Sequence, residues 1–418
     1  MRLWEPETRF LESLRDLPRA LTVSTVTAGL VSTVLVLSAP TLVLYQVGAG
    51  AGLTPVQIES WLFAVLVGGS VMGLLLSFAY RQPMLGGMSL PAVVVLTHVL
   101  PHIPFEQAVG GYLMGALLML AVALSGVYSR LLELVPKEIV MGVLAGVLLR
   151  FGTGLFGELV RHPWQGVPAV LAYFVALRWS RLRIPPIAAA LVVGVLGVGL
   201  AGEAPLSAPT ARLSLPVFYV PVFTVEAFFS ISLPVALVLM SAHNATSIGV
   251  LWAFRFAAPV RAITLVTALF GVAQAFFGGH GANLGTPRMA VCTEPSVHPD
   301  PQLRYGAAVV GCVLSLVAGL FAGAIVELFQ TLPFSLMRVI AALGLLPVFL
   351  QTLGRAVGSG HYRFGGLFAV FIAASGTPLL GISPVFWAMV LSPLVSLAAD
   401  PDWRRPRAEG AAPRPPAE

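Results

Sequence analysis

The chain has 418 residues, of which 57% are hydrophobic and only 10% charged, against about 25% charged in soluble domains. A mean hydropathy of +0.90 over that length excludes a soluble globular protein and points to an all-α polytopic membrane protein. The net charge is +6, but the basic residues stand singly between apolar spans, which argues against a nucleic-acid surface and follows the positive-inside pattern of a bilayer.

In chain order, residues 1–18 alternate acidic and basic side chains without the apolar core of a signal peptide. They read as a cytosolic amphipathic segment lying on the membrane. Hydropathy then places fourteen spans. Seven fall in a first repeat (19–201): 20–44, 56–78, 84–100, 108–128, 137–156, 166–177 and 185–200. After an extracytoplasmic loop (202–222), seven more fall in a second repeat (223–399): 225–252, 260–277, a broken tenth element at 278–292, 305–326, 331–353, 364–375 and 384–398. The Pro-, Ala- and Arg-rich tail, 400–418, reads as disordered and cytosolic. Of the 24 Lys and Arg residues, Arg161 and Arg212 fall in outside loops, and Arg150, Arg288 and Arg338 in or near spans. The remaining 19 are cytosolic if both termini are cytoplasmic, an asymmetry that supports the count.

Two spans are poor helices. Gly278-Gly279-His280-Gly281-Ala282-Asn283-Leu284-Gly285 crowds glycines ahead of Thr286-Pro287-Arg288, and Pro287 suits the first turn of a helix. The pattern predicts an extended approach followed by a half-helix starting near Thr286. Arg81 to Pro91 repeats the pattern through Gly86, Gly87 and Ser89. Free backbone groups at membrane depth require surrounding protein or a polar cavity, and transporters with inverted repeats pair two such breaks around their solute. A kinked structural helix is the plainer alternative. The prolines keep register: Pro91 to Pro136 and Pro287 to Pro333 are 45 and 46 residues apart. Two seven-span halves must be inverted relative to one another, because seven is odd.

Polar residues inside spans are costly and face a partner or a cavity. Span 8 carries Ser241-Ala242-His243-Asn244. His243 has a reference pKa near 6.5 and suits proton coupling; a neutral histidine held between helices is the alternative. Asn244 is either an orienting group or an interhelical hydrogen bond. Asn283, Leu284, Gly285 and Thr286 line the tenth element. Arg288, beside the half-helix N–H groups, would favour a carboxylate, unless it snorkels or pairs with Glu294. Met88, Ser89 and Leu90 match them in the third element. Tyr45 and Gln46, at the end of span 1, would wall the cavity. His98, His102, His280, His298 and His361 read as loop or interface residues without a role. Cys292 and Cys312 read as buried free thiols. No P-loop, nucleophile elbow, zinc signature or dinucleotide fingerprint occurs, so no enzyme activity, catalytic residue, metal or cofactor is expected.

Leu53-Thr54-Pro55-Val56-Gln57-Ile58-Glu59-Ser60-Trp61, Tyr80-Arg81-Gln82-Pro83, Ser89-Leu90-Pro91, Asn283-Leu284 and the loop Cys292-Thr293-Glu294-Pro295-Ser296-Val297-His298-Pro299-Asp300-Pro301 with Arg304-Tyr305 together resemble the benzoate:proton symporter (BenE-like) family over roughly residues 15–400. The resemblance implies the fourteen-span, 7+7 inverted-repeat fold shared with nucleobase symporters and sulfate/anion transporters. Spans 1–4 and 8–11 would form a core domain and spans 5–7 and 12–14 a gate, with solute between half-helices 3 and 10. Ala242 and Leu284 or Asn283 stand where nucleobase symporters carry glutamates, which argues against a nucleobase. Ala242-His243-Asn244 and Thr286-Pro287-Arg288 also differ from the usual family pattern.

The expectation is a secondary transporter, in the inner membrane, of a small anionic solute, benzoate or a similar aromatic acid, coupled to a proton or another ion. A homodimer is compatible with this. An inorganic-anion (bicarbonate or sulfate) transporter of the same fold and a non-transporting membrane sensor or scaffold are the alternatives.

Overall fold

The computed structural model describes residues 8–128, 136–179, 186–200, 210, 212–358 and 362–400. All of the expected tail (400–418) after Asp400, residues 202–209 and 211 of the expected loop (202–222) and the first seven residues of the N-terminal segment lie outside the described residues, as does His361. Among the described residues, seven helices are long and apolar enough to cross a membrane, and five shorter apolar helices accompany them.

An amphipathic helix α1 (Phe10–Ala20) precedes α2 (Val23–Leu37) and α3 (Ala39–Gly50), which together make the first long element. The bend between them falls at Ser38, and Pro40 sits in the first turn of α3, where a missing N–H costs nothing. The helix therefore runs on to Gly50, and Tyr45 and Gln46 lie inside it rather than at its end. Next come α4 (Pro55–Tyr80), a two-residue strand β1 (Gly86–Gly87), the half-helix α5 (Leu90–Leu96) and α6 (Phe105–Ser125). Then follow α7 (Lys137–Arg161), α8 (Pro163–Arg178) and α9 (Pro186–Leu200). The second half repeats the order: α10 (Val225–Ala253), α11 (Val260–Ala275), β2 (Asn283–Leu284), the half-helix α12 (Thr286–Thr293), α13 (Tyr305–Leu320) with its continuation α14 (Ala322–Gln330), α15 (Phe334–Gly358), α16 (Arg363–Ser375) and α17 (Pro384–Ala399).

Packing falls into two sets. Helices α2, α4, α6 and α11–α14 pack with one another, and α7–α9 pack with α15–α17. Contacts between the sets run mainly from α3, α5 and α10 to α7, α15 and α17. At their centre β1 pairs antiparallel with β2, Gly86 opposite Leu284 and Gly87 opposite Asn283. Small residues make this approach feasible. A Cβ on Gly86 would sit 1.7 Å from the Gly69 carbonyl of α4, and one on Gly87 would sit 2.7 Å from the Gly285 Cα.

Outside the membrane-spanning helices, Arg212 donates two hydrogen bonds to Glu59, at 3.0 and 2.6 Å, and also pairs with Glu327. This ties the connection before α10 to α4 and α14. At the other end α1 is clamped by Ser13 Oγ donating to the Phe78 carbonyl (2.7 Å), Tyr305 Oη donating to the Ser13 carbonyl (2.6 Å), and an Arg81–Asp16 ion pair (2.8 Å).

Two outcomes follow. Gly86→Val should cost about 1–3 kcal/mol or more through forced overpacking, read as a lowered melting temperature of the purified protein. The Arg81 hydrogen bond holds the Asp16 carboxyl below its ordinary value. Its contribution is therefore full above the unfolded carboxylate pKa and is lost as pH falls through the lowered folded value. Hydrogen exchange in α1 should quicken only in that acid window, and Asp16→Asn should show fast exchange without an acid step.

Candidate functional site

The two half-helices begin where the strands end. Ser89 caps α5, its Oγ accepting from the Ala92 N–H at 3.1 Å, which satisfies one of the free donors of the first turn. Pro91 and Pro287 occupy the first turns of α5 and α12. Gly278 and Gly281, at φ +84° and +120°, supply backbone conformations that an L side chain disfavours.

Several residues expected to touch solute are committed to holding this break together. The Arg288 guanidinium is buried. Its Nε donates to the Ser32 carbonyl (3.1 Å), Nη1 to the Gly86 carbonyl (2.5 Å), and Nη2 to the Gly311 carbonyl (3.0 Å) and Ser315 Oγ (2.7 Å). It staples α12 to β1, α2 and α13 rather than presenting an open fork, and it neither snorkels nor pairs with Glu294. Asn244 accepts from the Leu284 N–H (3.2 Å) and donates to Thr267 Oγ1 (3.0 Å). Thr286 Oγ1 lies 2.9 Å from Thr246 Oγ1 and 2.8 Å from Ser247 Oγ. The Gly285 N–H donates to the Leu85 carbonyl at 2.9 Å. Tyr45 packs its ring on Phe329, 5.3 Å between centroids, and Gln46 opens on a different cavity, between α3 and α7.

A second set is buried and lacks partners. Neither ring nitrogen of His243 makes a well-formed hydrogen bond; its nearest polar neighbour is the Leu284 backbone, at weak hydrogen-bonding reach. It sits in a π-helical stretch, Leu239–Asn244, a distortion common at functional sites; Tyr128 Oη donates to the Met240 carbonyl within it at 2.7 Å. Asn283 donates to the Leu284 carbonyl (3.0 Å) but leaves Oδ1 unpaired.

The third member is His280, to which sequence alone assigns no role. Only 1% exposed, it accepts at Nδ1 from Trp61 Nε1, 2.9 Å away. An indole only donates, so Nδ1 carries the lone pair and Nε2 carries the proton. That Nε2–H is buried without a well-formed partner, with the Ser89 backbone at weak hydrogen-bonding reach and the His243 ring within electrostatic reach. Met88 and Leu90, both buried, flank Ser89. The signal for His280 lies in its position: a histidine inside the glycine-rich break is as costly at membrane depth as one in a regular helix.

The paired half-helices, with unpartnered donors and acceptors buried between them, define a membrane transporter of small solutes rather than an enzyme. The chain belongs to the benzoate membrane transport protein family, whose model matches residues 19–397. It is 29% identical over 366 residues to the inner membrane protein YdcO of Escherichia coli, covering 88% of this chain and 93% of that one. It is 27% identical over 387 residues to the benzoate membrane transport protein of Acinetobacter baylyi, covering 91% and 96%. Among solved structures, the transmembrane domain of the cyanobacterial bicarbonate transporter BicA superposes with a TM-score of 0.62 at 17% identity, covering 94% of this chain and 99% of that domain. SLC26A9 superposes at 0.58 and 12% identity, covering 93% of this chain and 68% of that one. The fold is thus that of these anion transporters.

Arg288→Ala should act on stability before affinity. It removes four buried hydrogen bonds from a charged donor, about 1.5–3 kcal/mol each before relaxation, although the Gly311 carbonyl keeps its bonds from Ser315 and Thr33. A large drop in melting temperature with benzoate affinity retained in the folded fraction is expected. Normal stability with lost affinity would return the carboxylate to Arg288.

Proposed function

We propose that this protein is a secondary active transporter of benzoate or a similar aromatic carboxylate, moved together with a proton by alternating access across the inner membrane. The observation that carries the reading is the buried trio at the paired breaks: the His280 Nε2–H as a fixed donor, His243 with no well-formed hydrogen bond at either ring nitrogen, and the Asn283 Oδ1 acceptor. Buried polar groups without partners mark places where a ligand or water completes the hydrogen bonding. The names of the Acinetobacter baylyi and Escherichia coli relatives, a benzoate transport protein and an inner membrane protein, support the substrate and the compartment.

In this reading fourteen spans form two inverted seven-span repeats, with both termini cytoplasmic. The set containing α2–α6 and α10–α14 is the core, and α7–α9 with α15–α17 the gate. The carboxylate accepts from His280, and the ring lies against Met88 and Leu90. His243 takes the coupled proton: unlike His280 it loses no protein hydrogen bond on protonation, and a charge there is best tolerated when the anion arrives with it. Swinging the core against the gate then exposes the filled site to the other side.

Proteoliposomes carry the test. An inward proton gradient should drive benzoate accumulation. His243→Gln should abolish gradient-driven accumulation while benzoate–benzoate exchange persists, and His280→Phe should remove both. Equal accumulation with and without the gradient would refute proton coupling.

A further inference from the structure

A cavity of about 420 Å³ lies away from the paired breaks, between the C-terminal ends of α3 and α5 and the facing helices α7 and α15. That size suits a small organic molecule. The half-helix α5 has 7 residues, so the cavity sits roughly 10 Å along it from the central site. Two arginines face it with one carboxylate. Arg338 Nη1 pairs with Glu158 at 2.7 Å, and its guanidinium covers the Phe334 ring at 4.7 Å. Arg150 has no acidic partner among the described residues; its Nη1 lies 3.0 Å from His98 Nδ1. A guanidinium only donates, so His98 accepts at Nδ1 and carries its proton on Nε2, which is buried and unpaired. Gln46 Nε2, on the opposite wall, is also buried and unpaired. Gly376 leaves room for the guanidinium: a Cβ there would stand 2.3 Å from Arg150 Nη1.

Arg150, without an acidic partner among the described residues, and the side chains of His98 and Gln46, each with an unpaired N–H, thus line one cavity whose walls also carry Phe151 and Phe334. Arg150 is exposed at the cavity, so its guanidinium is open to an anion that enters, and its planar fork suits a carboxylate. We propose that this cavity is a second binding site for an aromatic monocarboxylate, a staging site on the way to the central one. Arg150 holds the carboxylate, His98 and Gln46 complete its hydrogen bonding, and the phenyl rings cover the aromatic body. The substrate class rests on the transport reading above; the site itself rests on the cavity's own groups. Arg338, already neutralised by Glu158, positions Phe334.

The test is equilibrium binding of radiolabelled benzoate to the purified full-length protein in lipid nanodiscs. Wild type should bind two equivalents. Arg150→Gln should lose one, or weaken it at least tenfold, and Arg150→Lys, which keeps charge without the fork, should fall between. His280→Phe should lose the other equivalent and keep the Arg150-dependent one. A single equivalent insensitive to Arg150→Gln and lost in His280→Phe would overturn the second site and leave the central reading standing. A single equivalent lost only in Arg150→Gln would keep this site and remove the central one. No binding to wild type would refute both.

Discussion

The structure depends on one short piece of backbone pairing, β1 on β2. Two chain segments nearly two hundred residues apart give up helical hydrogen bonds in the middle of a membrane protein. Each recovers them from the other, Gly86 and Gly87 against Leu284 and Asn283. Hydrocarbon offers no substitute for those bonds, so everything nearby serves to keep the two strands together. Glycines on α4 and at the strand ends remove the Cβ atoms that would hold them apart. Arg288 and Asn244 bond directly to backbone atoms of Gly86 and Leu284.

That constraint divides the polar residues of the break into two kinds. Arg288, Asn244 and Thr286 have found protein partners, and such groups make scaffold. His243, the His280 Nε2–H and the Asn283 carbonyl oxygen have not, although they are as deeply buried. Burial without partners is costly in any protein and more so here, and a solute or a proton that completes the hydrogen bonding relieves it. The same accounting singles out the His98 Nε2–H and the Gln46 amide beside the second cavity.

Much of the architecture was legible in the sequence, because hydropathy and broken helices leave strong traces there. The long apolar helices fall where the hydropathy does, and the half-helix starts at Thr286, as Pro287 requires. The resemblance carried by the loop before Tyr305 led to the right family. The site was read less well, for a physical reason. Sequence shows that Arg288 is a charge at membrane depth, but not that carbonyls of α2, β1 and α13 converge on it to accept its hydrogen bonds. His280 reads as a loop residue because its surroundings are glycines, yet the break that holds it is buried throughout. Tyr45 and Gln46 read as a helix end because Pro40 resembles a terminator, when it begins α3.

The central claim is that solute is held by the unpaired histidines at the strand pair. The most direct measurement is dipolar-recoupling NMR between benzoate labelled with 13C at its carboxyl and protein labelled with 15N in its histidine rings. It is best made in Arg150→Gln protein, so that only the central site is read. The account predicts a carboxylate carbon near hydrogen-bonding reach of a ring nitrogen, roughly 3–4 Å, and a coupling that vanishes in His280→Phe. Bound benzoate with no coupling to any histidine would contradict it.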